Sequence, residues 1–400
     1  MRPTLARYHA WLLLAIVSGV CLASAWVISL AIPVPDSNEF NVARWELRHL
    51  PGKWLYLTGR FFEGGLSREE RDERLGRYLE LSARIRRLER TVADDDETGN
   101  AELRDMRRER QEVENDAEAV IEGRLTSVLE EAGLESSLPL FPNARWVFPP
   151  VDVEFDAPPR SLAISPRDRI ELIERRPLRP ALSLDDVIAL EAAEEEDGER
   201  SAFVGSLAGA ATYPSIVGPQ GDYETLVATV AHEWVHHYLT FKPLGRRYYE
   251  SLDLRTLNET VADLVGQELA ALLIERYPLQ AAVEEQLAAF APADGLDVDA
   301  VLRELRLDVE ELLDEGQIEE AEALMEQRRQ ELAEQGVVFR RINQAFFAAR
   351  AIYADDPASI STIDEALMAL RARLGSVGAF LRAAAGLTSA SELDRLSAGD

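Results

Sequence analysis

The sequence predicts an α+β protein that is mostly helical, and three observations indicate that class. Strand-like apolar runs alternate with prolines over 138–221, whereas apolar residues follow a helical period through nearly all of 222–400. An uncharged N-terminal stretch and then a highly charged stretch with helical spacing precede them. We divide the chain into five parts. An anchor at 1–35 is followed by a membrane-proximal segment at 36–65 and a charged helical hairpin at 66–134. A small mixed α/β subdomain at 138–221 and a helical subdomain at 222–400 complete the chain.

The N-terminal stretch predicts a membrane helix. Residues 10–34 carry no charge, and about 20 apolar residues suffice to cross a bilayer. Arg2 and Arg7 precede the run, so the positive-inside rule places the bulk of the chain on the extracytoplasmic side of the cell membrane. Two alternatives stay open: cleavage after a signal-peptidase-like "ASA" at 23–25, which gives a secreted or periplasmic chain, and a lipid anchor on Cys21.

Composition excludes one class of partner. The formal net charge is −29, and nucleic-acid binding requires clustered Lys and Arg, so we expect no nucleic-acid partner. Cys21 is the single cysteine, which rules out an intrachain disulfide.

Residues 66–134 predict a helical hairpin paired as an antiparallel coiled coil. Apolar residues step by three and four along two runs, and "ADDDETGN" at 93–100 between the runs has the composition of a turn. This hairpin is either a solvated stalk packed on the rest of the chain or an arm that binds a protein partner.

The remaining chain predicts strands and then helices. "RWVFPPVDVEF", "RSLAIS" and "SAFVGSLAGAATYPSIVG" are strand-like, and Ser183 begins a helix between the last two of them. Helical periods follow at 223–241, 256–276, 278–291, 297–314, 317–335, 338–354 and 361–383.

The first of these helices contains "VAHEWVHHYLT", whose HExxH pattern predicts half of a metal site. His232 and His236 are four residues apart, so both imidazoles lie on one helical face and can reach a zinc ion at about 2.1 Å. Glu233 is placed to act as a general base on a water molecule. A hydrolytic zinc site needs a third protein ligand and one open position. On the next helix, "NETVAD" offers the carboxylate of Glu259, and Asp263 lies on the same face to hold a histidine ligand.

"HEWVH" followed by "NETVAD" resembles the gluzincin group of zinc metallopeptidases, which includes thermolysin-like enzymes and the large zinc aminopeptidases. The resemblance covers about 222–270 and implies a zincin-like catalytic core. It also implies that His232, His236 and Glu259 bind one Zn²⁺, that Glu233 is the general base and that Asp263 supports His232. Two features depart from the group: no GxMEN-like exopeptidase motif precedes the helix, and no histidine follows His237 to stabilise an oxyanion.

Two sets of residues complete the predicted site. Tyr248, Tyr249, Arg246 and Arg247, between the two helices, are candidates to stabilise the transition state, although each is also typical of packing or of the surface. Gly209, Ala210 and Tyr213 are candidates for a strand that binds an extended substrate, with a loop packed under the helix as the alternative.

These observations predict a membrane-anchored, zinc-dependent metallopeptidase that hydrolyses a protein or peptide substrate. Two alternatives stay open: an anchored coiled-coil scaffold with a vestigial zinc site, and a zinc amidase that acts on cell-wall peptide.

Overall fold

The computed structural model describes residues 38–49, 53, 67–89, 92, 96–138, 141–279, 283, 287, 297–350 and 363–398. These residues form an α+β fold in which helices predominate, as the sequence predicts. The predicted anchor at 1–35 lies outside them. None of the helices in the described ranges is both long and apolar enough to cross a bilayer.

The charged region consists of two long helices, α1 (Arg68–Glu89) and α2 (Glu97–Glu131), which pack against each other. Asp96 begins α2, because its side chain accepts hydrogen bonds from the first backbone N–H groups of that helix. Leu81, Ile85, Leu103 and Met106 form a small separate cluster between the two helices. The other end of the hairpin is part of the main core, so this region is built into the domain.

One antiparallel sheet has the strand order β5-β4-β6, with β4 at Arg160–Pro166, β5 at Glu174–Leu178 and β6 at Arg200–Ser206. Helix α3 (Leu184–Glu194) packs on it and begins at Ser183, which forms a reciprocal capping box with Asp186. A separate hairpin pairs β1 (Glu135–Leu138) with β2 (Phe141–Val147).

A second, smaller sheet leads directly to the histidine helix. Its order is β3-β8-β7, with β3 at Val153–Glu154, β7 at Gly209–Ala210 and β8 at Ser215–Val217. Strand β8 is parallel to β3 and antiparallel to β7. Within the part of the chain that the structure describes, β7 pairs with β8 alone and is therefore an edge strand.

Helices α4 (Tyr223–Thr240) and α6 (Leu252–Arg276) pack along each other in the main core, joined by the short helix α5 (Pro243–Arg246). Trp234 is fully buried, and its indole N–H donates to the carbonyl of Pro149 at 2.9 Å. Gly266 of α6 faces the backbone of α4: a Cβ built on it would lie 3.0 Å from the nitrogen of His232. The absence of a side chain at Gly266 therefore sets how closely the two helices approach.

Within the described ranges, six further helices follow α6, and they divide into two groups. The first group, with Phe203 of β6 packed against it, forms a core of its own: α7 (Val298–Asp314), α8 (Ile318–Glu334) and α9 (Gln344–Arg350). The second group packs against α6: α10 (Ile363–Arg373), α11 (Val377–Ala384) and α12 (Ala390–Ala398).

Several helix boundaries differ from the prediction. The helix expected at 338–354 begins only at Gln344, because Asn343 caps it and Arg340 extends to a buried Glu191 instead of continuing a helix. The helix expected at 361–383 is two helices, since Ser376 caps a new one. Helix α12 had no predicted counterpart. Most of the predicted helix at 278–291 lies outside the described residues.

The described part of the membrane-proximal segment is bonded to the domain. Residues 38–40 lie along β5, where the N–H of Phe40 donates to Pro177 at 3.1 Å. A short helix at 42–49 follows, and its Trp45 indole donates to Asp156 at 2.9 Å. The buried ammonium of Lys53 lies 2.7 Å from the carboxylate of Glu118 on α2. Residues 38–49 and Lys53 are therefore part of the folded domain.

We expect Gly266→Ala to destabilise the domain by about 1–3 kcal/mol, because the new methyl group overpacks the α4–α6 contact. Thermal or urea unfolding measures the change. Gly123→Ala on α2 is the matched control, because a Cβ there meets no atom within 4 Å. Helix propensity alone should then raise the free energy of unfolding by roughly 0.5–1 kcal/mol. Equal stability of the two variants would show that the two helices can separate at no cost.

Candidate metal centre

Three side chains on α4 and α6 converge on one point. The Nε2 atoms of His232 and His236 are 2.9 Å apart. One carboxylate oxygen of Glu259 lies 3.7 Å from the first of these nitrogens and 3.3 Å from the second. Glu259 is almost fully buried and the two imidazoles are largely buried. These three residues form a group that could hold a metal ion.

The spacing of the three atoms fits zinc. Ligand atoms at 2.0–2.1 Å from a tetrahedral ion lie about 3.3–3.4 Å from one another. The three observed separations, 2.9, 3.3 and 3.7 Å, fall on both sides of that value. Two imidazole nitrogens and one carboxylate are also a ligand set found in catalytic zinc sites, which leave the fourth position open.

Two residues of α6 hold the imidazoles in the required orientation. Asp263 Oδ1 lies 2.6 Å from Nδ1 of His232, and Asn258 Oδ1 lies 2.8 Å from Nδ1 of His236. Each Nδ1 is therefore placed to donate a proton outward, so that each Nε2 faces Glu259 and can bind a metal ion once it has lost its own proton. This role was predicted for Asp263 from the sequence but not for Asn258, although Asn258 stands next to Glu259 in "NETVAD".

The charges of the site are strongly coupled. Burial disfavours a charge on His232, but the hydrogen bond and the charge of Asp263 outweigh it and raise the pKa of His232 to about 9. Burial also disfavours the charge on Glu259, but the charge of His236 and its hydrogen bond lower the pKa of Glu259 to about 2. The protonated imidazole of His232 thus balances the negative charge of Glu259, and a bound metal cation would balance the same charge.

Glu233 is a buried carboxyl group beside these residues. It is 6% exposed, and burial raises its pKa above the ordinary range even though His232 and His236 act in the opposite direction. A carboxyl group whose pKa is raised toward neutrality is suited to accept and release a proton at neutral pH. The chemistry expected of Glu233 is therefore compatible with its surroundings.

An open cavity of about 250 Å³ adjoins the site. Gly209 of β7 and the two residues before it form one wall, and α4 and α6 form the other, so the cavity has access to Glu233 and His232. Its lining residues are Leu207, Ala208, Gly209, Ala228, Thr229, His232, Glu233, Asp263 and Gln267.

Gly209 is the point at which β7 approaches the site most closely. A Cβ at this position would lie 2.4 Å from Oε1 of Glu233, so any other residue here would displace that carboxyl group. The N–H of Gly218 donates to the carbonyl of Ala208, which makes these two residues a hydrogen-bonded pair. Since pairs alternate along an antiparallel ladder, the N–H and C=O of Gly209 point away from β8, toward the open edge.

The structure brings one of the four candidate transition-state stabilisers to the site. The hydroxyl of Tyr248 donates a short hydrogen bond to Glu259. Tyr249 is 86% exposed and contacts the ring of Tyr248, and Arg247 pairs with Glu250. Arg246 is exposed.

The remaining candidates for the substrate strand lie farther along α4. Ala210 pairs with Ile216, and the Tyr213 ring lies 5.6 Å from the ring of His237, one helical turn beyond Glu233.

Comparison of the chain with family models, with curated proteins and with solved structures gave no match.

We expect Asn258→Ala to weaken zinc affinity by roughly 10–100-fold, because His236 loses the partner that orients it. Competition with a chromogenic chelator measures the affinity. Asn343→Ala is the matched control, since Asn343 is also buried but bonds to Ala202 and caps α9. The same zinc affinity in both variants and in the unsubstituted chain would remove Asn258 from the site.

Proposed function

We propose that the chain is a zinc-dependent metallopeptidase with a gluzincin-like, zincin-type core. The observation that carries the proposal is the convergence of two imidazole nitrogens and one carboxylate oxygen beside a buried glutamate. His232, His236 and Glu259 would hold the ion, and Asp263 and Asn258 would orient the imidazoles. Tyr248 would restrain the Glu259 carboxylate.

The side chains supply the proton transfers that amide hydrolysis requires. A bound zinc ion would lower the pKa of a water molecule and polarise the scissile carbonyl. Glu233 would take the proton from the attacking water and deliver it to the leaving amine. Its burial keeps bulk water away and raises its pKa, which favours both halves of this transfer.

The open edge of β7 supports a peptide as the substrate. The backbone N–H and C=O of Gly209 point outward beside Glu233, and an extended peptide can pair with them as an added strand. This arrangement favours a peptide over a small amide, because the backbone on both sides of the scissile bond contributes to binding. Gly209 has no side chain to obstruct the approach.

The location of this activity follows from the N-terminal sequence. We propose that residues 1–35 anchor the chain in the cell membrane, with the catalytic domain on the extracytoplasmic side. The hairpin of α1 and α2, whose far end has its own small core, is the proposed site for a protein partner.

We expect Glu233→Gln to retain zinc and to lose about 10²–10⁴-fold in turnover of unfolded protein such as casein, because only the proton carrier is removed. Metal analysis and peptide release measure the two quantities. Glu224→Gln is the matched control, since it changes the same residue type on the same helix at an exposed position.

Three other outcomes would contradict the proposal. Unchanged turnover in Glu233→Gln would exclude Glu233 as the base. A purified chain that contains no stoichiometric zinc and cleaves nothing would favour the scaffold. Cleavage of cell-wall peptide but not of casein would favour the amidase.

A further inference from the structure

Beyond the end of β7, the chain meets the N-terminal helix at 42–49. From Gly209, beside Glu233, the chain runs along α4 to Tyr213, whose ring lies against His237. There the backbone N–H of Tyr213 donates to the carboxylate of Glu46 at 2.9 Å. Glu46 belongs to the helix at 42–49, so a side chain of the N-terminal segment already occupies a backbone donor just beyond the end of β7.

Buried contacts and hydrogen bonds hold the helix at 42–49 to the rest of the domain. Trp45, the neighbour of Glu46, is 9% exposed, and its indole N–H is bonded to Asp156. Residues 38–40, before the helix, are hydrogen-bonded to β5. Breaking these contacts would expose the Trp45 ring and leave backbone groups without partners, so the helix is a fixed part of this end of the cleft.

Negative charge surrounds the same end. Beyond Glu46, the single ammonium group of Lys53 faces four carboxylates, those of Glu118, Glu122, Asp152 and Glu154. Burial, and then the charges of Asp152 and Glu122, raise the pKa of Tyr213 to about 12. Burial raises the pKa of Glu118 to about 8 and of Asp152 to about 7, so the carboxylate of Glu46 is the group that acts on a substrate here. A peptide lying along β7 would bring either its amino or its carboxyl end to this place, and the charge of Glu46 attracts the first and repels the second.

We propose that Glu46 recognises a positively charged group of the substrate, the terminal ammonium or a basic side chain, and that the 42–49 helix limits how far the substrate extends on this side. The inference rests on the proposed peptidase function. β7 ends at Ala210 and the chain then turns, so the four steps from Gly209 to Tyr213 span at most about 13 Å at 3.3 Å per extended residue, and at most about four substrate residues fit there. The preferred substrates are therefore short peptides or the amino-terminal ends of unfolded chains.

The test uses the zinc-loaded full chain and quenched fluorescent peptides of one sequence. The series has two, four, six or eight residues before the scissile bond, each with a free or an acetylated amino terminus. We expect kcat/KM to fall beyond about four residues, and acetylation of the short peptides to cost roughly tenfold, the effect of losing one charge-assisted hydrogen bond.

Glu46→Gln isolates the charge, because glutamine still accepts the Tyr213 N–H. We expect it to lower kcat/KM roughly tenfold for free-amino peptides and to leave acetylated ones unchanged. Glu39→Gln is the matched control, an exposed glutamate of the same segment. An acetylated peptide with lysine at its first position separates the two cation sources: recovery of the rate assigns recognition to any cation, and no recovery assigns it to the terminal ammonium.

Affinity gives a second readout. The Kd of each peptide for Glu233→Gln, alone and combined with Glu46→Gln, is measured by fluorescence anisotropy. Rates and affinities that ignore both length and terminal charge, together with zinc-dependent cleavage, would overturn this inference and leave the peptidase intact. Charge-dependent binding without cleavage by the unsubstituted chain would instead overturn the peptidase and retain Glu46 as a peptide-binding residue.

Discussion

The close packing of α4 against α6 is the contact on which the candidate metal centre depends. One helix alone brings two imidazoles together, but only the approach permitted at Gly266 brings Glu259 within 3.7 Å of both nitrogens. The same contact places Asn258 and Asp263 behind the two rings. A shift of 1 Å between the helices would therefore change the ligand geometry and its support together, since all three carboxylate and amide groups are on α6.

Electrostatics explains why these groups are stable in a buried place. Two carboxylates, Glu233 and Glu259, lie beside the paired imidazoles, and burying such charges without compensation is costly. A proton on His232, whose pKa is raised, compensates part of this charge, and a divalent ion would compensate more of it. The site therefore favours a cation for the same reason that it raises the pKa of His232.

The sequence predicted the parts of this site that depend on helical period. Four-residue spacing placed His232 and His236 on one face, and Glu259 with Asp263 on the next helix. It could not show that Asn258 supports His236 or that Glu46 meets Tyr213, because contacts between distant segments leave no periodic signal. The late start of the helix at Gln344 also depends on a contact between distant segments. Arg340 forms an ion pair with Glu191, which is far away in the chain, and does not continue the helix.

The helix at 42–49 also lies between the folded domain and the proposed anchor. The uncharged run ends at Val34, and four residues later Asn38 is already hydrogen-bonded to the loop after β5. Four residues of extended chain span at most about 14 Å, so an anchor in that run would hold this side of the domain close to the membrane surface. The segment that is proposed to limit the substrate would then also set the distance of the folded domain from the bilayer. Substrates would approach from the opposite, open end, past the cavity between β7 and α6.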